Sequence, residues 1–113
     1  MKAVTKIIFL DENQEKFFGE GPCRLLHAIE ETGSLSSAAR SMGMAYTKAL
    51  KILNKAESAL GYSLTTRRSG GKDGGGSSLT KEGKEWLQQY ERYRNACVQA
   101  NRRLYLEFFP EQR

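Results

Sequence analysis

Lys48 and Lys51 stand one helical turn apart, in a stretch where Ala49, Ile52, Leu53, Ala56 and Leu60 recur at the i, i+3, i+4 spacing of a buried face. The two lysines fall away from that stripe, as do Thr47, Asn54 and Lys55. Ammonium groups on a free helix face can meet phosphate oxygens or the acceptor edge of guanine, and the spacing leaves both open. Thr47 can donate or accept at either target. Tyr46 can pack in a core or offer its hydroxyl to a nucleic-acid backbone. Lys55 reads as a solvated helix residue. Ser36 and Ser37 open a preceding short helix, where they can bond phosphate or simply cap. Arg67, Arg68 and Lys72 border a glycine-rich run and supply further positive charge.

Other chemistry finds little support. Cys23 and Cys97 lie far apart and, in a reducing cytosol, read as buried thiols. The single histidine, His27, sits beside Leu26 in an apolar helical pattern and reads as a packing residue. No constellation for zinc or for acid–base catalysis is expected, and no cofactor or catalytic residue. The run Gly70–Gly76 lacks the Lys-Ser/Thr ending of a nucleotide-binding loop. No apolar run approaches the roughly 20 residues that cross a bilayer. The start, Met1-Lys2-Ala3-Val4-Thr5-Lys6, lacks the apolar stretch of a secretion signal, so a cytoplasmic protein is expected.

The net charge of +5 is unevenly spread. Residues 40–72 carry Arg40, Lys48, Lys51, Lys55, Arg67, Arg68 and Lys72 against one acid, Glu57, whereas the flanking segments are nearly balanced or acidic. A basic middle third of this kind attracts polyanions.

The elements that must position these residues follow from pattern. Lys6–Leu10 is rich in β-formers, and Glu15–Phe18 can return antiparallel after the polar residues 11–14. Pro22 suits the entry of a first helix with Leu25, Leu26, Ala28 and Ile29 on its apolar face, and Gly33 is its stop. Ser34 or Ser36 can cap a short small-residue helix that ends near Met42-Gly43, and a third helix runs from about Ala45 to Leu60, with Gly61 as its stop. Residues 62–67 and 78–79 read as two strands around the glycine-rich tip. Thr80 caps a last helix reaching about Phe108, before Pro110. Along it Trp86, Tyr90, Tyr93, Cys97, Ala100 and Leu104 are spaced 4-3-4-3-4, an a/d seam over three heptads. The expected fold is a single domain over residues 1–113, mainly α with short β-hairpins. It is a winged helix-turn-helix with a long C-terminal dimerisation helix: helix-turn-helix at about 34–60, wing at about 62–79, last helix at about 81–108. In such a fold the third helix enters the major groove of double-stranded DNA, about 12 Å wide.

At these residues the chain resembles a known family. Gly33-Ser34-Leu35-Ser36-Ser37-Ala38-Ala39, Met42-Gly43-Met44-Ala45-Tyr46-Thr47-Lys48-Ala49, Gly70-Gly71-Lys72-Asp73-Gly74-Gly75-Gly76 and Leu79-Thr80-Lys81-Glu82-Gly83 are similar to the N-terminal domain of ModE-type molybdate-responsive regulators. The first and last segments also look like the LysR-type helix-turn-helix; the tyrosine and the glycine-rich wing favour ModE. The resemblance implies a bacterial or archaeal transcriptional regulator whose homodimer uses the first and last helices. The interface residues expected on that basis are Leu25, Ile29, Trp86, Tyr90, Tyr93, Cys97 and Leu104. It departs from the family pattern at Ala45, where a serine is common, and in ending at Arg113 without a molybdate-binding domain, so direct molybdate sensing is not expected and the effector stays open. The alternative is a winged-helix interaction module that pairs with another regulator without tight DNA binding.

Overall fold

The computed structural model describes residues 1–67 and 76–112. In chain order they form strands β1 (Phe9–Leu10) and β2 (Lys16–Phe18) and helices α1 (Glu20–Thr32), α2 (Leu35–Ser41) and α3 (Tyr46–Leu60). Strands β3 (Thr65–Arg67) and β4 (Ser77–Leu79), helix α4 (Lys81–Phe108) and a 3-10 turn at Pro110–Gln112 follow. Both strand pairs are antiparallel: Phe9 faces Phe18, and Thr65, Thr66 and Arg67 face Leu79, Ser78 and Ser77. The fold is the expected winged helix-turn-helix, with each expected helix and both strands of the wing among the described residues.

Local chemistry explains the boundaries. The Ser34 hydroxyl, rather than that of Ser36, accepts the Ser37 N–H at 3.0 Å and starts α2. Gly43 takes φ +66° in the turn before α3, a conformation that side chains disfavour. The Thr80 hydroxyl accepts the Gly83 N–H at 2.8 Å and donates to the Ser63 carbonyl at 2.7 Å, so one side chain starts α4 and ties it to the base of the wing. Three boundaries differ from expectation by two or more residues. The strand expected from residue 62 begins at Thr65, because the Leu64 N–H is taken by the Glu57 carboxylate and not by a strand partner. Helix α1 begins at Glu20, because the Cys23 N–H reaches the Gly19 carbonyl at 3.0 Å and leaves Pro22 inside the first turn. The first strand is shorter than residues 6–10, because residues before Phe9 run beside α4 instead: Ile7 O accepts from the Tyr90 hydroxyl at 3.0 Å and Thr5 Oγ1 from Asn101 Nδ2 at 2.6 Å.

The core gathers Phe18, Leu25, Leu26, Ile29, Leu35, Ala38, Ala49, Leu53, Leu64 and Leu87 between α1, α2, α3, the wing base and the start of α4. Small residues on α2 and α3 let those helices close on α1. Beyond this core the second half of α4 projects, giving extents of 60 × 29 × 24 Å.

The expected dimer interface needs correction at three positions. Leu25 and Ile29 are 1% and 0% exposed and belong to the core of their own chain; Tyr90 is 1% exposed, closed in by Phe9 and Phe18. None offers surface to a second chain. Trp86 is half-buried against Phe9, Phe17 and Phe18, with ring centroids 5.3–6.3 Å away. Cys97 and Ala100 are half-buried, whereas Tyr93 and Leu104 remain exposed.

Candidate nucleic-acid interface

Helix α3 buries Ala49, Leu53 and Ala56 and so turns Thr47, Lys48, Lys51, Asn54 and Lys55 outward; all five are exposed. Tyr46 is 46% exposed, so the structure places it on the surface beside Thr47 and Lys48 rather than in the core. Ala45 provides no side-chain cap, and the first turn of α3 leaves backbone N–H groups without a helical acceptor. Those donors and the positive end of the helix lie next to Tyr46, Thr47 and Lys48. Ser36 is exposed on the first turn of α2. Arg40, a member of the basic segment for which no site was expected, is exposed near the end of α2.

The second half of α3 has a different neighbour. The β1–β2 hairpin runs alongside it, and Leu10, Asp11, Glu12, Glu15 and Phe17 form one wall of an open groove of about 1040 Å³ whose other wall includes Lys51, Asn54 and Lys55. Glu15 pairs with Lys55 at 3.1 Å. Lys55 is thus a partnered residue. The Asp11 carboxylate accepts the Asn13 and Glu15 N–H groups at 2.8 and 3.0 Å, which holds the turn in shape. Thr47 lines the same groove, so the hairpin sets its three acids alongside the outer face of α3 from Thr47 to Lys55, while Tyr46 and Lys48 lie outside it.

The wing is fastened to α3 by the one acid of the basic segment. Glu57 Oε2 accepts the Leu64 N–H at 2.7 Å and the Thr65 N–H at 3.4 Å. The Leu64 carbonyl accepts the Thr80 N–H at 2.9 Å, and Ser77 N–H reaches the Gly33 carbonyl at 2.7 Å. Backbone and carboxylate bonds therefore set where β3 leaves the core relative to α3. Sequence reasoning passed over Glu57; a lone acid in a basic stretch at a helix end was the available signal. The Arg67 backbone lies in β3, and Arg68 and Lys72 fall outside the described residues.

One cluster lies away from this face. Cys23 and His27 of α1 and Glu91 of α4 bring a sulfur, an imidazole nitrogen and a carboxylate oxygen within 4.8 Å of one another. His27 Nε2 is 3.1 Å from Glu91 Oε1. Burial, with Glu91 and then Glu20 adding to it, pushes the Cys23 thiol up to about 11. From sequence alone His27 reads as a packing residue and is not brought together with Cys23 and Glu91; the structure brings the three together. Cys23 and His27 are four apart on one helix, but Glu91 joins them only when α4 folds back.

Residues 23–84 match the family model for the bacterial regulatory helix-turn-helix protein, lysR family. Over 89 residues the chain is 36% identical to the DNA-binding transcriptional dual regulator ModE of Escherichia coli strain K12, a match covering 77% of this chain and 34% of that protein. It is 39% identical over 66 residues to the molybdenum-pterin-binding protein MopB of Rhodobacter capsulatus, covering 58% of this chain and 24% of that one. The chain thus spans about a third or less of the length of these curated relatives. Among solved structures, the CbnR_DBD-DNA complex aligns with a TM-score of 0.59 at 20% identity, covering 77% of this chain and 94% of that one. That likeness shows the fold.

Proposed function

Because the chain belongs to the lysR family of bacterial regulatory helix-turn-helix proteins, we propose that it is a sequence-specific, double-stranded DNA-binding transcriptional regulator of the ModE kind. It works as a homodimer and by binding rather than catalysis. The observation that carries the reading is the exposed outer face of α3. Tyr46, Thr47, Lys48 and Lys51 are exposed where a docked helix meets base edges. Docking with the N-terminal half of α3 in the major groove puts the free backbone donors of its first turn near phosphate. Ser36 stands at the start of α2, where a phosphate contact positions the helix pair. Arg67, Arg68 and Lys72 of the wing supply affinity through phosphate, not sequence. The similarity to ModE and MopB supports a link to molybdate or metal-oxyanion metabolism. No helix among the described residues is long and apolar enough to cross a membrane, and the protein is read as cytoplasmic.

The test compares binding of wild type, Lys48→Ala, Lys51→Ala, Arg68→Ala and Lys72→Ala to a duplex selected from a random pool and to its scrambled counterpart, at several salt concentrations. A lysine that reads a base should cost about 1–3 kcal/mol on the selected duplex and less on the scrambled one. Wing variants should weaken both duplexes and lower the salt slope by roughly one for each phosphate no longer neutralised. Site preference that moves with the wing and not with α3 reverses these roles. Failure to select any duplex favours the interaction-module alternative.

A further inference from the structure

We propose that Cys23, His27 and Glu91 form a binding site for one late first-row divalent transition-metal ion, of the class of Zn2+ or Co2+, that clamps α1 to α4. The three donors come from one helix face and the helix packed across it, and they already lie within 4.8 Å of one another. A tetrahedral ion with bonds of about 2.0–2.3 Å holds its ligand atoms about 3.3–3.8 Å apart. His27 Nε2 and Glu91 Oε1, at 3.1 Å, are near that spacing, and the sulfur, within 4.8 Å of both, has at most about 1–1.5 Å to close. A thiolate, an imidazole and a carboxylate together suit a borderline ion and not Mg2+ or Ca2+, which take all-oxygen sets.

The surroundings fit the charge. Arg94 Nη1 is bonded to Glu20 Oε1 at 2.6 Å, and its Nη2 lies 3.7 Å from Glu91 Oε2, the oxygen turned away from His27. Arg94 thus lies beside the outer oxygen of Glu91, leaving the inner one to the ion, and its charge near Cys23 favours the thiolate. With Cys23 as a thiol, Glu20, Glu91 and Arg94 leave the cluster one negative charge; with a thiolate and a divalent ion bound the cluster is neutral. As the sulfur–metal bond forms, the thiol proton leaves to solvent, and no electron transfer is involved. Cys23 is buried at the floor of the site, while the side chains of His27 and Glu91 are 45% and 30% exposed, so the fourth position opens to water. The clamp sits on the helix whose far end, at Gly33, holds β4 of the wing, so an ion here also stiffens the frame that carries the wing.

The test titrates the metal-free full chain with Co2+ and follows visible absorption, then adds Zn2+. One Co2+ per chain should bind, with tetrahedral ligand-field bands and a thiolate-to-cobalt charge-transfer band that Zn2+ bleaches. Zn2+ should also raise the thermal midpoint. Cys23→Ser should abolish the charge-transfer band. His27→Gln and Glu91→Gln should weaken binding by more than the roughly tenfold that removal of an outer partner costs. Cys97→Ser should change none of this. His27→Gln, at a half-exposed position, carries the test if Cys23→Ser does not fold. Absence of the charge-transfer band at saturating Co2+, its persistence in Cys23→Ser, or Co2+ binding unaltered in His27→Gln overturns the site and leaves a plain His27–Glu91 pair beside a buried thiol.

Discussion

Glu57 shows how one side chain can serve a fold and a surface together. Its carboxylate accepts two backbone N–H groups at the start of β3, and no other acid competes within residues 40–72. Glu57→Ala strands the Leu64 and Thr65 donors and should cost about 1–3 kcal/mol in urea unfolding. Glu57→Gln keeps an acceptor oxygen and should cost less, and a cost equal to that of alanine would show that charge rather than acceptance matters. Gly83 marks a close approach of α4 to the wing base. A methyl group there would overlap the Leu64 carbonyl oxygen and lie 2.9 Å from its carbon, atoms that cannot rotate away. Gly83→Ala should therefore destabilise by about 3 kcal/mol. Gly21→Ala, with nothing within 4 Å of its added carbon, should be neutral or stabilise by about 0.5–1 kcal/mol in the same unfolding assay. Equal effects of the two would refute the close packing of α4 on the wing base.

At the scale of elements, the helices were legible because their signals are local. The apolar period of α3, the serine and threonine caps of α2 and α4, and the glycine stops at Gly33 and Gly61 all act within one or two turns. The exposed residues of α3 that would face DNA could be read from the same period. What could not be read is set by long-range packing. The period marks Leu25, Ile29 and Tyr90 as apolar but does not say whether the partner is the same chain or another. Residues 6–8 carry the composition of a strand, yet the arm from Met1 to Ile7 bonds along α4 to residues about 80 to 100 positions away. Glu91 reaches His27 across 64 positions. The caps themselves are testable. Thr80 makes two bonds, one starting α4 and one reaching the wing base, so Thr80→Ala should lower stability by about 1–2 kcal/mol, while Thr80→Ser keeps the hydroxyl and should stay near wild type. Thermal or urea unfolding of the pair decides it. An alanine variant as stable as the serine one would mean that helix and wing base are held by other bonds.

For the whole molecule the open question is what covers the far half of α4. Helix α4 has 28 residues and a length of about 42 Å, yet its last fully buried residue is Tyr90. Past Arg94, which still reaches Glu20 of α1, the helix is bonded to the N-terminal arm, through Asn101 to Thr5 and Tyr105 to the Met1 carbonyl. A helix gains most of its stability from packing an apolar face, and an extended arm covers little of one. Val4, Ile8, Tyr93, Leu104 and Phe108 remain exposed. Apolar surface gathered on one projecting element marks an interface, and a second copy of the same helix offers the matching seam. Two-fold pairing would also set two α3 helices against DNA half-sites about 34–36 Å apart or a multiple of that. Sedimentation at micromolar concentration should give twice the 12.7 kDa chain mass. Leu104→Glu and Phe108→Glu, which remove no core packing, should shift it toward 12.7 kDa and reduce affinity for a two-half-site duplex far more than for a single half-site. A wild-type chain that sediments as a monomer removes the homodimer. It would leave the far half of α4 to a different partner and the α3 face to a single half-site.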